Sequence, residues 1–165
     1  ATLAFNNAYV ETFVDSVDEI GDDAGERKAV RVVTERTEQF SAANSRLTLD
    51  MPVGNNIRCV VLHATDDGEP SDVLVNEVEF SINDVDTRYK TSWEGLRFKN
   101  MTDKDLTPDE MPAGFAVIDS SPDGKLSNAF DVTQAKKCSV KANVNAPVGA
   151  QGELTAQVVE FILPE

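Results

Sequence analysis

The amino-acid sequence predicts an all-β protein built as an antiparallel sandwich or barrel. From residue 29 onward, at least seven segments have strand-type composition, and most of them alternate apolar with polar residues. Clusters of Gly, Pro, Asn and Asp separate these segments, and no helical pattern of about 10 to 15 residues lies between them. A parallel α/β sheet needs such helices as crossovers, so the pattern favours antiparallel connections.

The predicted strands follow one another in a clear order. RLTLDM places Leu47, Leu49 and Met51 on one face, and NIRCVVLHA is apolar on both faces, so we expect it to be covered on both. In the segment YKTSWEGLRFKN, Leu96 and Phe98 alternate with basic residues, which predicts another strand. The remaining predicted strands are DVLVNEVEFSI, AGFAVID, KCSVKANV and ELTAQVVEFIL.

Residues 1–28 are predicted to form an N-terminal segment and linker ahead of a β-domain over residues 29–165. Apolar residues recur there at helical spacing, and the polar stretch GDDAGERK follows as the linker. An extended arm that pairs with a neighbouring molecule is the alternative, because Val and Thr are mediocre helix formers. An apolar stripe ahead of the first confident strand indicates an assembly interface. Its residues are Tyr9, Phe13, Val17 and Ile20.

The charge of the chain excludes one class of partner. Twenty-nine acidic and 15 basic residues give a net charge of −14, which repels phosphate backbones and anionic lipid headgroups. We therefore expect no direct contact with nucleic acid, and we attribute the charge to solubility or to adaptation to salty surroundings. No stretch approaches the roughly 20 apolar residues of a membrane span, and no secretion signal is recognisable, so we expect a soluble chain.

The sequence offers no evident catalytic set. His63 is the only histidine, whereas metal sites inside β-barrels usually need two or three, and no G-x-S-x-G motif supports a serine nucleophile. Cys59 and Cys138 are predicted to be reduced, buried thiols, with Cys59 on the same face as Ile57, Val61 and His63. We expect His63 to be a hydrogen-bonded structural residue, and we expect no enzymatic activity.

Aspartate clusters in three loops could supply oxygen ligands to Ca²⁺, although none matches a calcium-loop motif. Asp, Asn and Gly also form tight turns, which is the favoured interpretation, so no cofactor is expected. The weak calcium candidates are Asp66, Asp67, Asp84 and Asp86. Trp93 is the only tryptophan, and it is expected to pack at a strand end rather than stack on a sugar.

Taken in order, the segments resemble the jelly-roll major coat proteins of icosahedral, often membrane-containing, bacterial viruses. A strand that ends in a Pro-Gly turn before NIRCVV, the strand SDVLVNEVEF, and the connection from MPAGFAVID through DGKLSNAFD to the last two strands carry this resemblance. It extends from about Arg46 to Phe161. These are patterns of strands and turns, so their order is more specific than any one of them.

The resemblance implies a single eight-stranded antiparallel jelly-roll barrel that stands upright in an icosahedral capsid and associates through its side walls. It also implies self-association into trimeric or hexameric capsomers, contact with other capsid subunits, and a place in the virion after assembly in the host cytoplasm. One barrel matches either the single-barrel relatives or one of two separately encoded coat subunits. The N-terminus lacks a basic arm, so an inner membrane layer fits better than direct contact with the genome.

A second hypothesis is a Ca²⁺-dependent carbohydrate-binding or receptor-binding jelly-roll module. Its loops would hold the ion and its aromatic side chains would stack on sugar. The aromatic content of 7% and the single Trp disfavour this function.

Overall fold

The computed structural model describes residues 30–120 and 128–162 of the chain, which form ten strands and one helix. The first six strands are β1 (Val30–Phe40), β2 (Asn44–Met51), β3 (Asn56–Asp66), β4 (Glu69–Pro70), β5 (Val75–Ile82) and β6 (Asp86–Ser92). The helix and the last four strands are α1 (Trp93–Lys104), β7 (Phe115–Asp119), β8 (Phe130–Asp131), β9 (Cys138–Val144) and β10 (Gly152–Ile162). Within these ranges no helix has both the length and the apolar character that crossing a membrane would require.

The strands pair into two antiparallel sheets. In sheet A, β1 pairs with β10 and β10 pairs with β3, and β4, β7 and β8 each pair with part of β3. Sheet B has the order β2-β9-β5-β6. Strands that are neighbours in space are distant in sequence, as in the double-sheet arrangement of jelly rolls. The all-β prediction is therefore confirmed.

The core lies between the two sheets and follows the period-2 pattern of the strands. On β10, alternate residues such as Leu154, Ala156 and Val158 are fully buried. The facing sheet contributes Phe80, whose ring stacks on Phe130 at a centroid distance of 4.5 Å. Burying an aliphatic or aromatic side chain of this size contributes roughly 1.5 to 3 kcal/mol.

The number of strands differs from the eight that were expected. Two of the ten strands, β4 and β8, contain two residues each. Strand β1 had no distinct sequence signal, because its central residues are exposed and polar on both faces, so no alternation was visible. The predicted N-terminal segment, residues 1–28, lies outside the described residues.

A β-bulge in β3 corrects the predicted face of Ile57. Val159 pairs with Cys59 but Glu160 pairs with Ile57, so Arg58 is an extra residue in the ladder. The bulge shifts the alternation by one position, and Ile57 is fully buried in the core. Cys59 lies on the outer face of sheet A, where Val61 and His63 are half-buried as well. This outer face is thus only partly covered.

The predicted strand through Leu96 and Phe98 is wrong, because the chain forms α1 there. The Ser92 side chain caps the helix by accepting a hydrogen bond from Gly95 N at 3.1 Å, and Asp105 ends it with a left-handed backbone at φ 54°. Leu96 is buried, whereas Phe98 is 67% exposed and does not alternate into the core. Helix α1 contacts β7 of sheet A as well as β5 and β6 of sheet B, so it closes one side of the sandwich.

Candidate assembly surfaces

One edge of β7 pairs with β3, and α1 covers the other edge. A single buried side chain of α1 makes the main contact. Asn100 donates a hydrogen bond from Nδ2 to Val117 O at 2.8 Å and accepts one at Oδ1 from Val117 N at 2.7 Å. The amide thereby takes the place of a neighbouring strand. Arg97 supports the same contact, because Nη1 donates to Pro112 O and Phe115 O, at 2.7 and 2.8 Å. The edge is closed to further strand pairing.

The outer face of sheet B is polar and charged. Lys141 on β9 is 6% exposed although it lies on this outer face. Its Nζ is 2.9 Å from Asp84 Oδ1 and 3.9 Å from Glu79 Oε1. Hydrogen bonds from Lys141 and then Lys137 hold the pKa of the Asp84 carboxyl below its ordinary value. Lys90 adds further ion pairs to Glu77 and Glu79 on the same face.

Over the described residues, the two sheets do not close into the barrel that was expected. The outer face of sheet A is apolar near one end of the sandwich, where β1 begins and β10 ends. The ladder aligns Val33 with Val159 and Cys59, and it aligns Val61 with Val117. Val159 is buried and the other four side chains are half-buried. We call these five residues the sheet A patch. Next to it, His63 stacks on Phe115, with 4.0 Å between the ring centroids and an interplanar angle of 11°.

Charged side chains of both signs lie near Cys59 in the sheet A patch. Burial is the main reason that the pKa of the Cys59 thiol is raised, and the nearby Asp119 carboxylate raises it further. Three cations close to the thiol oppose this rise, and we call them the cationic rim: Arg58, Arg31 and Lys104.

Two arginines of the cationic rim have unused hydrogen-bonding capacity. Lys104 Nζ lies 3.7 Å from Asp119 Oδ2, but Arg31 and Arg58 form no ion pair with the residues in the described ranges. Arg31 Nε is buried without a hydrogen-bond partner in this part of the chain. A buried donor without an acceptor costs free energy, so it indicates a position where an acceptor would bind favourably.

Asp66 and Asp67, the first pair of calcium candidates, fasten one loop to another. The Asp66 carboxylate accepts hydrogen bonds from the backbone N–H groups of Val148 and Gly149, at 2.7 and 2.9 Å. The Asp67 carboxylate accepts from Ala150 and Gln151 in the same way, at 2.8 and 2.9 Å. These oxygens therefore stabilise the β9–β10 loop, which is distant in sequence, and these bonds are not the local turn bonds that were expected.

Asp84 and Asp86, the second pair of calcium candidates, bind cationic side chains. Asp84 contacts Lys137 as well as Lys141, and Asp86 Oδ2 lies 2.7 Å from Arg88 Nη2. Among residues 30–120 and 128–162, no three His, Cys, Asp or Glu side chains converge as a metal site would require. The structure thus gives each of the four candidate carboxylates a partner within the protein.

The other residues considered in the sequence analysis are Trp93, His63 and the two cysteines. Trp93 is 2% exposed, so it is the packing anchor that was predicted, although it begins α1 instead of ending a strand. His63 Nε2 has no hydrogen-bond partner in the described ranges, so ring stacking and not the expected hydrogen bond holds this residue. Cys59 and Cys138 are free thiols. Burial, with a smaller effect of Glu160, raises the pKa of Cys138 to about 12.

Neither a protein-family model nor a curated protein sequence matches the chain, but several solved structures do. The major capsid protein of Sulfolobus turreted icosahedral virus aligns with a TM-score of 0.65 and 16% identity, over 82% of this chain and 42% of that chain. Major capsid protein P2 of bacteriophage PM2 aligns at 0.51 and 15%, over 82% and 48% of the two chains. A PBCV-1 virus capsid chain aligns at 0.52 and 12%, over 87% and 45%.

The chain has the fold of these viral capsid proteins. Together with the strand order of the two sheets, the likeness confirms the resemblance to jelly-roll coat proteins that the sequence suggested. The capsid fold accounts for most of this chain, whereas the chain spans less than half the length of each of these proteins. The predicted interface residues Tyr9, Phe13, Val17 and Ile20 lie outside the described residues, so the structure does not place them.

Proposed function

We propose that this chain is a structural subunit of an icosahedral viral capsid. The observation that carries the proposal is the shared fold with viral capsid proteins, at a TM-score of 0.65 for the Sulfolobus virus protein. Polar side chains in the described ranges support a structural role, since the aspartates fasten loops and Asn100 closes a sheet edge. On this proposal the chain has no enzymatic activity and needs no cofactor.

The proposed unit is a single jelly roll of eight main strands. Sheet B supplies four of them, and β1, β10, β3 and β7 of sheet A supply the other four. The two-residue strands β4 and β8 are local additions to β3. The chain spans less than half of the matching capsid proteins, and we propose that further copies of this chain or a second coat subunit contribute to the capsomer.

The subunit is proposed to act through its surfaces. It associates through its side walls into trimers or hexamers, joins other capsid subunits in the virion, and is assembled in the host cytoplasm. The N-terminal stripe of Tyr9, Phe13, Val17 and Ile20 forms one of the contacts, with a neighbouring subunit or an inner membrane layer. Net charge −14 opposes association at low salt, so assembly is expected to be easier at high salt, where the repulsion is screened.

Light scattering of the purified full chain across a salt series, followed by electron microscopy of the largest species, tests this function. The expected result is reversible growth from monomer to discrete oligomers or shells as the salt concentration rises. A matched run with Ca²⁺ and with EDTA at constant ionic strength separates ion binding from screening. A chain that stays monomeric at every ionic strength, and that is absent from purified virions, would refute the capsid role.

A further inference from the structure

We propose that residues 9–20 of one copy dock on the sheet A patch of a neighbouring copy, with their acidic side chains on the cationic rim. The inference deepens the proposed function and rests on it, because it names the surface to which the N-terminal stripe would bind. Four features support it: the apolar character of the patch, the charge around it, the unused arginines, and the dimensions of the two surfaces.

The first feature is the contrast between the two outer sheet faces. Sheet B presents ion-paired charges to the outside, whereas the sheet A patch presents four half-buried apolar side chains around the buried Val159. Apolar side chains that lie side by side and partly exposed on a sheet face can be buried further by a partner. The N-terminal stripe provides matching apolar groups, with Phe13 at its centre.

The second feature is charge complementarity. Among the described residues near Cys59 are three cations and the carboxylate of Asp119. Residues 9–20 contain four carboxylates and no basic residue: Glu11, Asp15, Asp18 and Glu19. Opposite charges at the margin of an apolar contact favour encounter and fix the register of the two surfaces.

The third feature is the unused capacity of two rim arginines. Within the part of the chain that the structure describes, Arg31 and Arg58 have no carboxylate partner, and Arg31 Nε is buried without an acceptor. A guanidinium can bind a carboxylate through two parallel hydrogen bonds, which makes both residues suitable receptors for Glu or Asp. A second copy of the patch would instead bring like charges together, so patch-to-patch pairing is disfavoured.

The dimensions also agree. The sheet A patch crosses four strands, which at about 4.8 Å between strands is roughly 14 Å. Twelve residues in the predicted helical conformation extend about 18 Å. Residues 21–29, when fully extended, can bridge up to about 30 Å before β1 begins at Val30.

Charge reversal in the full chain tests the receptor. The rim variant R31E/R58E is compared with the control variant R36E/R46E, which changes the net charge equally at two exposed arginines outside the patch. Sedimentation velocity over a concentration series, at the salt concentration where the wild type assembles, measures association. The rim variant is expected to associate at least about tenfold more weakly than the control, which is about 1.4 kcal/mol or more.

Mixing two variants tests whether the segment and the patch bind each other in trans. The segment variant F13D/V17D keeps an intact patch, and the rim variant keeps an intact segment. Each alone is expected to associate weakly, whereas their mixture is expected to form one-to-one complexes through the single segment-to-patch contact that remains possible. Native mass spectrometry identifies such complexes by composition.

The possible outcomes separate the two proposals. If the wild type assembles and the rim variant matches its control, the docking site is elsewhere and only this inference fails. If both variants are impaired but do not complement each other, docking within one copy is indicated and the neighbouring-copy arrangement is wrong. If the wild type never assembles and is absent from purified virions, the capsid function fails as well. If R31E/R58E does not fold, R31Q/R58Q replaces it against R36Q/R46Q, with the same criteria.

Discussion

Replacing Asn100 with Ala should destabilise the domain more than any other single polar truncation on α1. The substitution removes both hydrogen bonds to Val117 and leaves a strand N–H and a strand C=O without partners beneath a helix. Each unsatisfied backbone group costs about 1 to 3 kcal/mol. We expect a total loss of about 2 to 5 kcal/mol, since water can reach part of the half-buried edge.

Urea denaturation of the full chain, followed by tryptophan fluorescence, measures this loss. Trp93 is the only tryptophan and is buried at the start of α1, so its emission reports on the affected region. Thr102→Ala is the matched control, because its exposed hydroxyl donates only to Phe98 O of the same helix, and it should cost less than about 0.5 kcal/mol. Asn100→Ala within about 0.5 kcal/mol of the wild type would show that α1 does not close the edge in solution.

Three further predictions concern charge, thiol reactivity and the N-terminus. In the folded state, hydrogen bonds from Lys141 and Lys137 lower the pKa of the Asp84 carboxyl. These bonds therefore stabilise the fold fully above the ordinary pKa of 3.8, and this stabilisation is lost as the pH falls through the lowered pKa. Acid titrations of the wild type and Asp84→Asn should therefore differ above pH 3.8, approach each other as the pH falls below it, and coincide below the lowered pKa of Asp84; parallel curves would contradict the role of Lys141. Cys138, with its pKa near 12, should resist iodoacetamide at pH 8 until urea unfolds the chain, and rapid labelling of the folded protein would show that it is accessible. Deletion of residues 1–21 should leave a cooperative thermal transition while weakening assembly; loss of the transition would place the segment in the core.

The sequence predicted those strands that have one buried face and one solvent-exposed face. Strand β5 alternates in this way, so Val78 and Phe80 were recognisable as core residues. Strand β1 could not be recognised, because residues 35–39 are polar and exposed on both faces. The bulge at Arg58 has no sequence signal either, since it arises from pairing with β10 and not from a local preference.

The sequence does contain a helical pattern for α1, but the alternation of Leu96 and Phe98 was interpreted as a strand instead. Trp93, Leu96 and Asn100 are spaced three and four residues apart, and Ser92 precedes them as an N-cap, which is a helical pattern. The role of Asn100 could not be predicted, because the position of the β7 edge depends on the complete sheet. For the same reason, the meeting of Arg31, Arg58 and Lys104 around Cys59 is visible only in three dimensions.

The closed edge of β7 affects how reversible a wrong contact between two subunits is during assembly. Strand-to-strand addition forms many backbone hydrogen bonds at once and is slow to reverse, as in fibrils. With Asn100 and Arg97 on this edge, crowded copies cannot join there by extending the sheet. At this edge they must meet through side chains, and contacts of that kind can break and re-form. A subunit misplaced against this edge can then leave before the neighbouring positions are filled.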